Sequence, residues 1–112
     1  MISHDFEKSI LALVCWNESH QESLDAMLAI GHCLMNRARE SSLPLLEVFA
    51  QFQHGAYPDS RDPRFTALLN GIDRVYEGAK DPTDGCLNWS RPIHGEAAKP
   101  PRFKCGSFYF WQ

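Results

Sequence analysis

Residues 10–37 read ILALVCWNESHQESLDAMLAIGHCLMNR, and their pattern decides the fold. An apolar run, Ile10 to Trp16, meets a polar break, Asn17-Glu18-Ser19-His20, and an amphipathic run follows. Leu24, Met27, Leu28, Gly31, Leu34 and Met35 recur at i, i+3, i+4 and i+7, the spacing of one helix face. Ser19 and Glu22 fit the Ser-x-x-Glu capping box, which marks a helix start. The pattern therefore predicts a helix over Asp5 to Trp16 and another from about His20 to Arg39. Glu18 lies at the corner between them. The all-round apolarity of Ile10 to Trp16 predicts deep burial. Gly31, costly in an exposed helix interior, predicts the close approach of another backbone.

The corner has an electrostatic consequence. A carboxylate at a helix C-terminus faces the negative end of the macrodipole, which disfavours ionisation, and Val14 and Trp16 add desolvation. The second helix points its positive end at the same place and acts in the opposite sense, so the sequence leaves the direction open. A Glu kept protonated near neutral pH is a general acid. A solvated corner Glu has no chemical role, and spacing by itself favours that reading.

Working outward, Ser41-Ser42-Leu43-Pro44 is a break, and Pro44 suits the start of a short helix, Leu45 to Phe52. A polar loop containing Tyr57 follows. Asp62-Pro63 is a cap followed by Pro in the first turn, and it opens a helix to about Glu77 that Gly78 ends. From Asp81 onward, Asp-Pro, Asp-Gly and several further prolines give irregular chain. Phe103 to Trp111 is aromatic enough for a strand, which pairs with Cys86 to Ser90 as a hairpin. The expectation is a single domain over residues 1–112, mainly α (α+β), with a small C-terminal β-hairpin or extended flap.

Composition removes several function classes. A net charge of −3 with scattered Lys and Arg argues against nucleic acid as a partner. No window reaches the roughly 18 apolar residues of a membrane span, so no membrane insertion is expected. No basic segment precedes Ile10 to Trp16, and Asp5 and Glu7 do, so no secretory signal is read. Cys15 and Cys33 fall on apolar helix faces and read as core. Cys86 and Cys105 flank the C-terminal loop and can pair in an oxidising compartment. His4, His20 and His32-Cys33 fit no zinc spacing; no metal and no cofactor are expected.

Three blocks of the chain resemble the spore-cortex-lytic type of cell-wall hydrolases. That family has a Gly-Glu-Ala corner followed by a helix ending in Asn-Arg; here stand Asn17-Glu18-Ser19 and Asn36-Arg37. Its Asp-Pro-Thr-Gly-Gly-Ala-Leu block, followed by aromatics, is similar to Asp81-Pro82-Thr83-Asp84-Gly85-Cys86-Leu87-Asn88-Trp89. Its Gly-x-His-x-Phe is similar to Gly106-Ser107-Phe108-Tyr109-Phe110. The blocks occur in the family's order and span most of the chain. Asn17, Ser19, Asp84 and Phe108 depart from the pattern.

The resemblance implies a lysozyme-like helical domain that cleaves the peptidoglycan glycan strand between MurNAc and GlcNAc, with Glu18 as the catalytic acid. It also implies a lytic transglycosylase, in which one Glu protonates the leaving oxygen and then deprotonates the muramic-acid 6-hydroxyl, giving a 1,6-anhydro product. Trp89 and Tyr109, in the matching blocks, are the first candidates for substrate binding, with Tyr57 and Thr83 after them. Core packing is an equally good reading of Trp89 and of Tyr109. Asn36 and Arg37 read as a polar helix end tied to neighbouring backbone. A muramidase on the same scaffold needs a second carboxylate, with Glu22, Asp59, Asp81 and Asp84 available. A non-catalytic wall-binding or virion module is the reading from another class. With no signal read, delivery to the wall falls to a phage virion or a holin.

Overall fold

A computed structural model describes residues 4–52, 58–59, 61–91 and 100–112. Four helices come first: α1 (His4–Ser19), α2 (Leu24–Ser41), α3 (Leu45–Phe49) and α4 (Pro63–Tyr76). Three short strands follow, β1 (Asn88–Ser90), β2 (Phe103–Cys105) and β3 (Phe108–Trp111). The class is mainly α with a small antiparallel sheet, as the sequence leads one to expect.

Helix α1 runs three residues past its expected end, so Glu18 lies in its last turn rather than in a loop. The polar residues that read as a break bond back into the helix. The Asn17 amide donates to the Leu13 carbonyl (3.0 Å) and the Ser19 hydroxyl to the Cys15 carbonyl (2.8 Å). These are back-bonds to carbonyls inside α1, while the terminal carbonyls of Trp16 and Ser19 accept from the His20 and Glu22 N–H groups. Arg64 adds a guanidinium to the same end, donating to the carbonyls of His20 and Glu22 and lying over the Trp16 ring.

The capping box does not form. Helix α2 is capped instead by Ser23, whose hydroxyl accepts from the Ala26 N–H at 3.3 Å. Glu22 is engaged elsewhere: its carboxylate accepts from the Ser107 N–H at 2.7 Å and holds the β2–β3 turn against the α1–α2 loop. Helix α3 ends at Phe49 rather than Phe52, because Gln51 and Phe52 tighten into i→i−3 bonds. Helix α4 starts on Asp62, which accepts from the Arg64 N–H, and Gly78 follows it with φ +100°.

Helices α1, α2 and α4 pack on one another, with α3 across α1 and α2. The core includes Leu11, Val14, Ile30, Leu34, Phe49 and Ile72, all fully buried. Gly31 sits where three helices meet: a Cβ there would stand 3.0 Å from Ile72 and 3.4 Å from Cys15. The close approach is thus of side chains from α4 and α1, not of a backbone.

The aromatic C-terminal run is two strands, not one. Gly106 adopts φ +60° and turns the chain, so β2 and β3 form the hairpin and β1 joins the other side of β3. The order β1-β3-β2 pairs Trp89 with Phe110, and Tyr109 with both Ser90 and Lys104. Phe108 and Phe110 face the core, while Tyr109 and Trp111 are half-buried.

Candidate active site

Glu18 is half-buried in the last turn of α1. Burial pushes its carboxyl above the ordinary Glu value, and the positive charges of Arg37 and Arg91 pull it part of the way back. The direction that the sequence left open is therefore upward. Among the described residues no donor is bonded to this carboxyl. An acid with a raised pKa and unshared oxygens can give up a proton to a substrate atom and take one back.

Arg37 connects Glu18 to the sheet. Its Nε donates to the Leu87 carbonyl at 2.5 Å and its Nη2 to Asn88 Oδ1 at 3.2 Å. The guanidinium lies 4.8 Å from the Trp89 ring and 5.3 Å from Phe52, two rings that stack on each other at 5.3 Å. Next to Arg37, a shallow cavity of about 280 Å³ opens between Leu43, Gln51 and Asn88. Arg91 leaves β1 and lies over the Phe108 ring at 4.6 Å. Asn36 is tied to Asp81 Oδ2 (2.7 Å) and to the Cys86 carbonyl (3.0 Å). Asn36 and Arg37, expected at a helix end tied to neighbouring backbone, lie within α2 and are bound to backbone 50 positions away, while the Arg37 charge also acts on Glu18.

The sequence-derived binding residues do not gather at one place. Trp89 stands beside Arg37. Its cross-strand partner is Phe110, whereas Tyr109 pairs with Ser90 and Lys104, so Trp89 and Tyr109 point to opposite faces of the sheet. Tyr109 packs against Trp111 and under Lys104. Thr83 requires a correction: it is fully buried, so it cannot touch substrate. Its hydroxyl donates to Asp81 Oδ1 and accepts from the Cys86 N–H, which braces the turn before β1. Tyr57 lies outside the described residues.

Each carboxylate considered as a second catalytic group has a partner already. Glu22 holds Ser107, Asp59 is bonded to Arg61, and Asp84 is paired with Arg102. Asp81 accepts from Asn36, from Gly85 and twice from Thr83. All four thiols are free, including Cys86 and Cys105. Among the described residues no three His, Cys, Asp or Glu side chains group as a metal site, and no helix is long and apolar enough to cross a membrane.

Sequence reasoning singled out Glu18 but missed Arg91 and Phe52. Neither carries a local signal, because both reach the site through sheet and loop packing. Comparison of the chain with protein-family models, with curated proteins and with solved structures finds no match.

Proposed function

We propose that the chain cleaves the glycan strand of peptidoglycan between MurNAc and GlcNAc, with Glu18 as both acid and base. The observation that carries this reading is the half-buried Glu18 carboxyl, raised in pKa and bonded to no donor among the described residues. Protonated Glu18 gives its proton to the glycosidic oxygen, and the bond from that oxygen to C1 breaks with its electron pair leaving on oxygen. The Glu18 carboxylate next to the oxocarbenium-like C1 then removes the proton of the 6-hydroxyl, O6 bonds to C1, and the acid is restored. Arg37 and Arg91 support the anionic form between the two transfers, and Trp89 offers a ring to a sugar face.

A one-carboxylate scheme is favoured over a muramidase because Glu22, Asp59, Asp81 and Asp84 each have bonds that hold them in structural roles. The test is mass spectrometry of soluble products from purified peptidoglycan, with wild type beside Glu18→Gln. Anhydro-muropeptides from wild type alone are expected. Reducing-end muropeptides would make the enzyme a hydrolase. No product from a folded wild type on several wall types would replace the enzyme with a wall-binding module.

A further inference from the structure

A second groove does not have Glu18, Arg37, Trp89 or Arg91 in its lining. Two cavities, of about 450 and 410 Å³, share His32, Val75, Ala79 and Lys80 as lining and so form one groove along α2 and the end of α4. His32 forms its floor and is 7% exposed. The Asp81 oxygen 3.9 Å from its Nδ1 is beyond hydrogen-bond reach. No side-chain nitrogen or oxygen among the described residues is both sealed off and unpartnered. The unbonded ring nitrogens of His32 are therefore open to the groove. Burial lowers the pKa of this imidazole, with Asp81 opposing and Arg39 assisting, so the ring is neutral at pH 7 and can donate one hydrogen bond.

In the larger cavity the cationic side chains outnumber the anionic ones. In the smaller cavity Asp81 keeps its charge, since Asn36, Thr83 and Gly85 are neutral donors, and Asp84 is paired with Arg102. Arg74 and Lys80 are exposed at the rim, and among the described residues their side chains have no partner. Arg39 spends one N–H on Asn36. Among the described residues lining the larger cavity, only Asp25 opposes Arg74 and Lys80. Leu28, Val75 and Phe103 give the larger cavity an apolar wall.

We infer that this groove is a second binding site, for a small ligand with an apolar body and a carboxylate held by Arg74, Lys80 and the His32 N–H. The carboxylate can belong to a free acylated amino acid or to the C-terminus of a peptide; both present the same group. The site stands whether or not the chain cleaves glycan.

The test is a ¹H–¹⁵N titration of the full chain with N-acetyl-leucine, with its carboxamide, and with an acetylated tetrapeptide ending in leucine. Expected are saturable shifts of the His32, Ala79 and Lys80 amides with the free acid. The carboxamide should give none, and Arg74→Glu/Lys80→Glu should weaken binding about tenfold or more. Shifts with the tetrapeptide as well would assign the site to peptide C-termini, and shifts with N-acetyl-leucine alone to small acids. The inference is overturned if neither acid moves these signals, if the carboxamide moves them equally, or if the folded charge-reversal variant binds unchanged.

Discussion

Replacing Asp81 by Asn tests the turn that carries β1 under Arg37. The change keeps shape and removes charge. Each carboxylate oxygen faces a backbone donor that cannot turn around: Thr83 N–H on Oδ1 at 2.8 Å and Gly85 N–H on Oδ2 at 2.9 Å. Whichever way the new amide is flipped, its NH₂ meets an N–H. One backbone donor loses its acceptor, at a cost of about 1–3 kcal/mol, and the surviving bonds lose their charge assistance. The expected loss at pH 7 is about 2–4 kcal/mol, or a fall in Tm of roughly 10–25 °C for a domain of this size. The loss also depends on pH. Burial raises the Asp81 carboxyl, but the bonds from Asn36, Thr83 and Gly85 outweigh it and hold the group below the ordinary Asp value. A depressed folded-state pKa gives stability that is present above the unfolded value of about 3.9 and disappears as pH falls through the folded value. Thermal melts by circular dichroism at pH 7 and in steps below pH 4 should therefore show the gap between wild type and variant closing with acid. A loss under about 1 kcal/mol at pH 7, or a gap independent of pH, would refute the role given to this carboxylate.

Other outcomes follow from the same geometry. Glu18→Gln should melt at or above the wild-type temperature at pH 7, because a raised carboxyl pKa means that folding opposes its ionised form; melts at pH 7 and pH 4 check the sign. Arg37→Gln removes a charge that lowers the Glu18 pKa, so the alkaline limb of the pH–activity profile should move to higher pH. Gly106→Ala puts a Cβ at φ +60° and 2.5 Å from the Glu22 carboxylate, and should cost about 1–2 kcal/mol in denaturant titration. Ser23→Ala removes the α2 cap and should cost about 1 kcal/mol by the same assay, whereas Ser19→Ala should leave α2 intact.

Helix α4 was legible because its signals are local: Asp62-Pro63 at one end and Gly78 at the other. The end of α1 was not, since Asn17 and Ser19 resemble a break until their side chains are seen returning to carbonyls four residues back. Ser19 and Ser23 offered competing caps, and a contact with Ser107, 85 positions away, drew Glu22 out of the capping box. Gly106-Ser107 inside an aromatic run concealed a turn. Glu18 stood out only through the resemblance, since its place at a helix end by itself favoured a solvated residue. The direction of its pKa shift depended on burial against two arginines from other elements, which no local pattern reveals. Thr83 looked available in sequence and is sealed in the turn it braces.

The bonds by which Asn36, Arg37 and Glu22 reach the C-terminal region join residues 50 to 85 positions apart. The segment Leu11 to Cys15 is held by local helical bonds, although Cys86, Phe108 and Phe110 belong to the same core. Native-state hydrogen exchange should accordingly find the Leu87 and Arg102 amides, bonded into the sheet, opening at lower free energy than amides within Leu11 to Cys15. The α1 helix that carries Glu18 would then outlast the strand that carries Trp89. Mild denaturant would change the Glu18 titration before α1 itself unfolds, because the Arg91 charge leaves with the sheet.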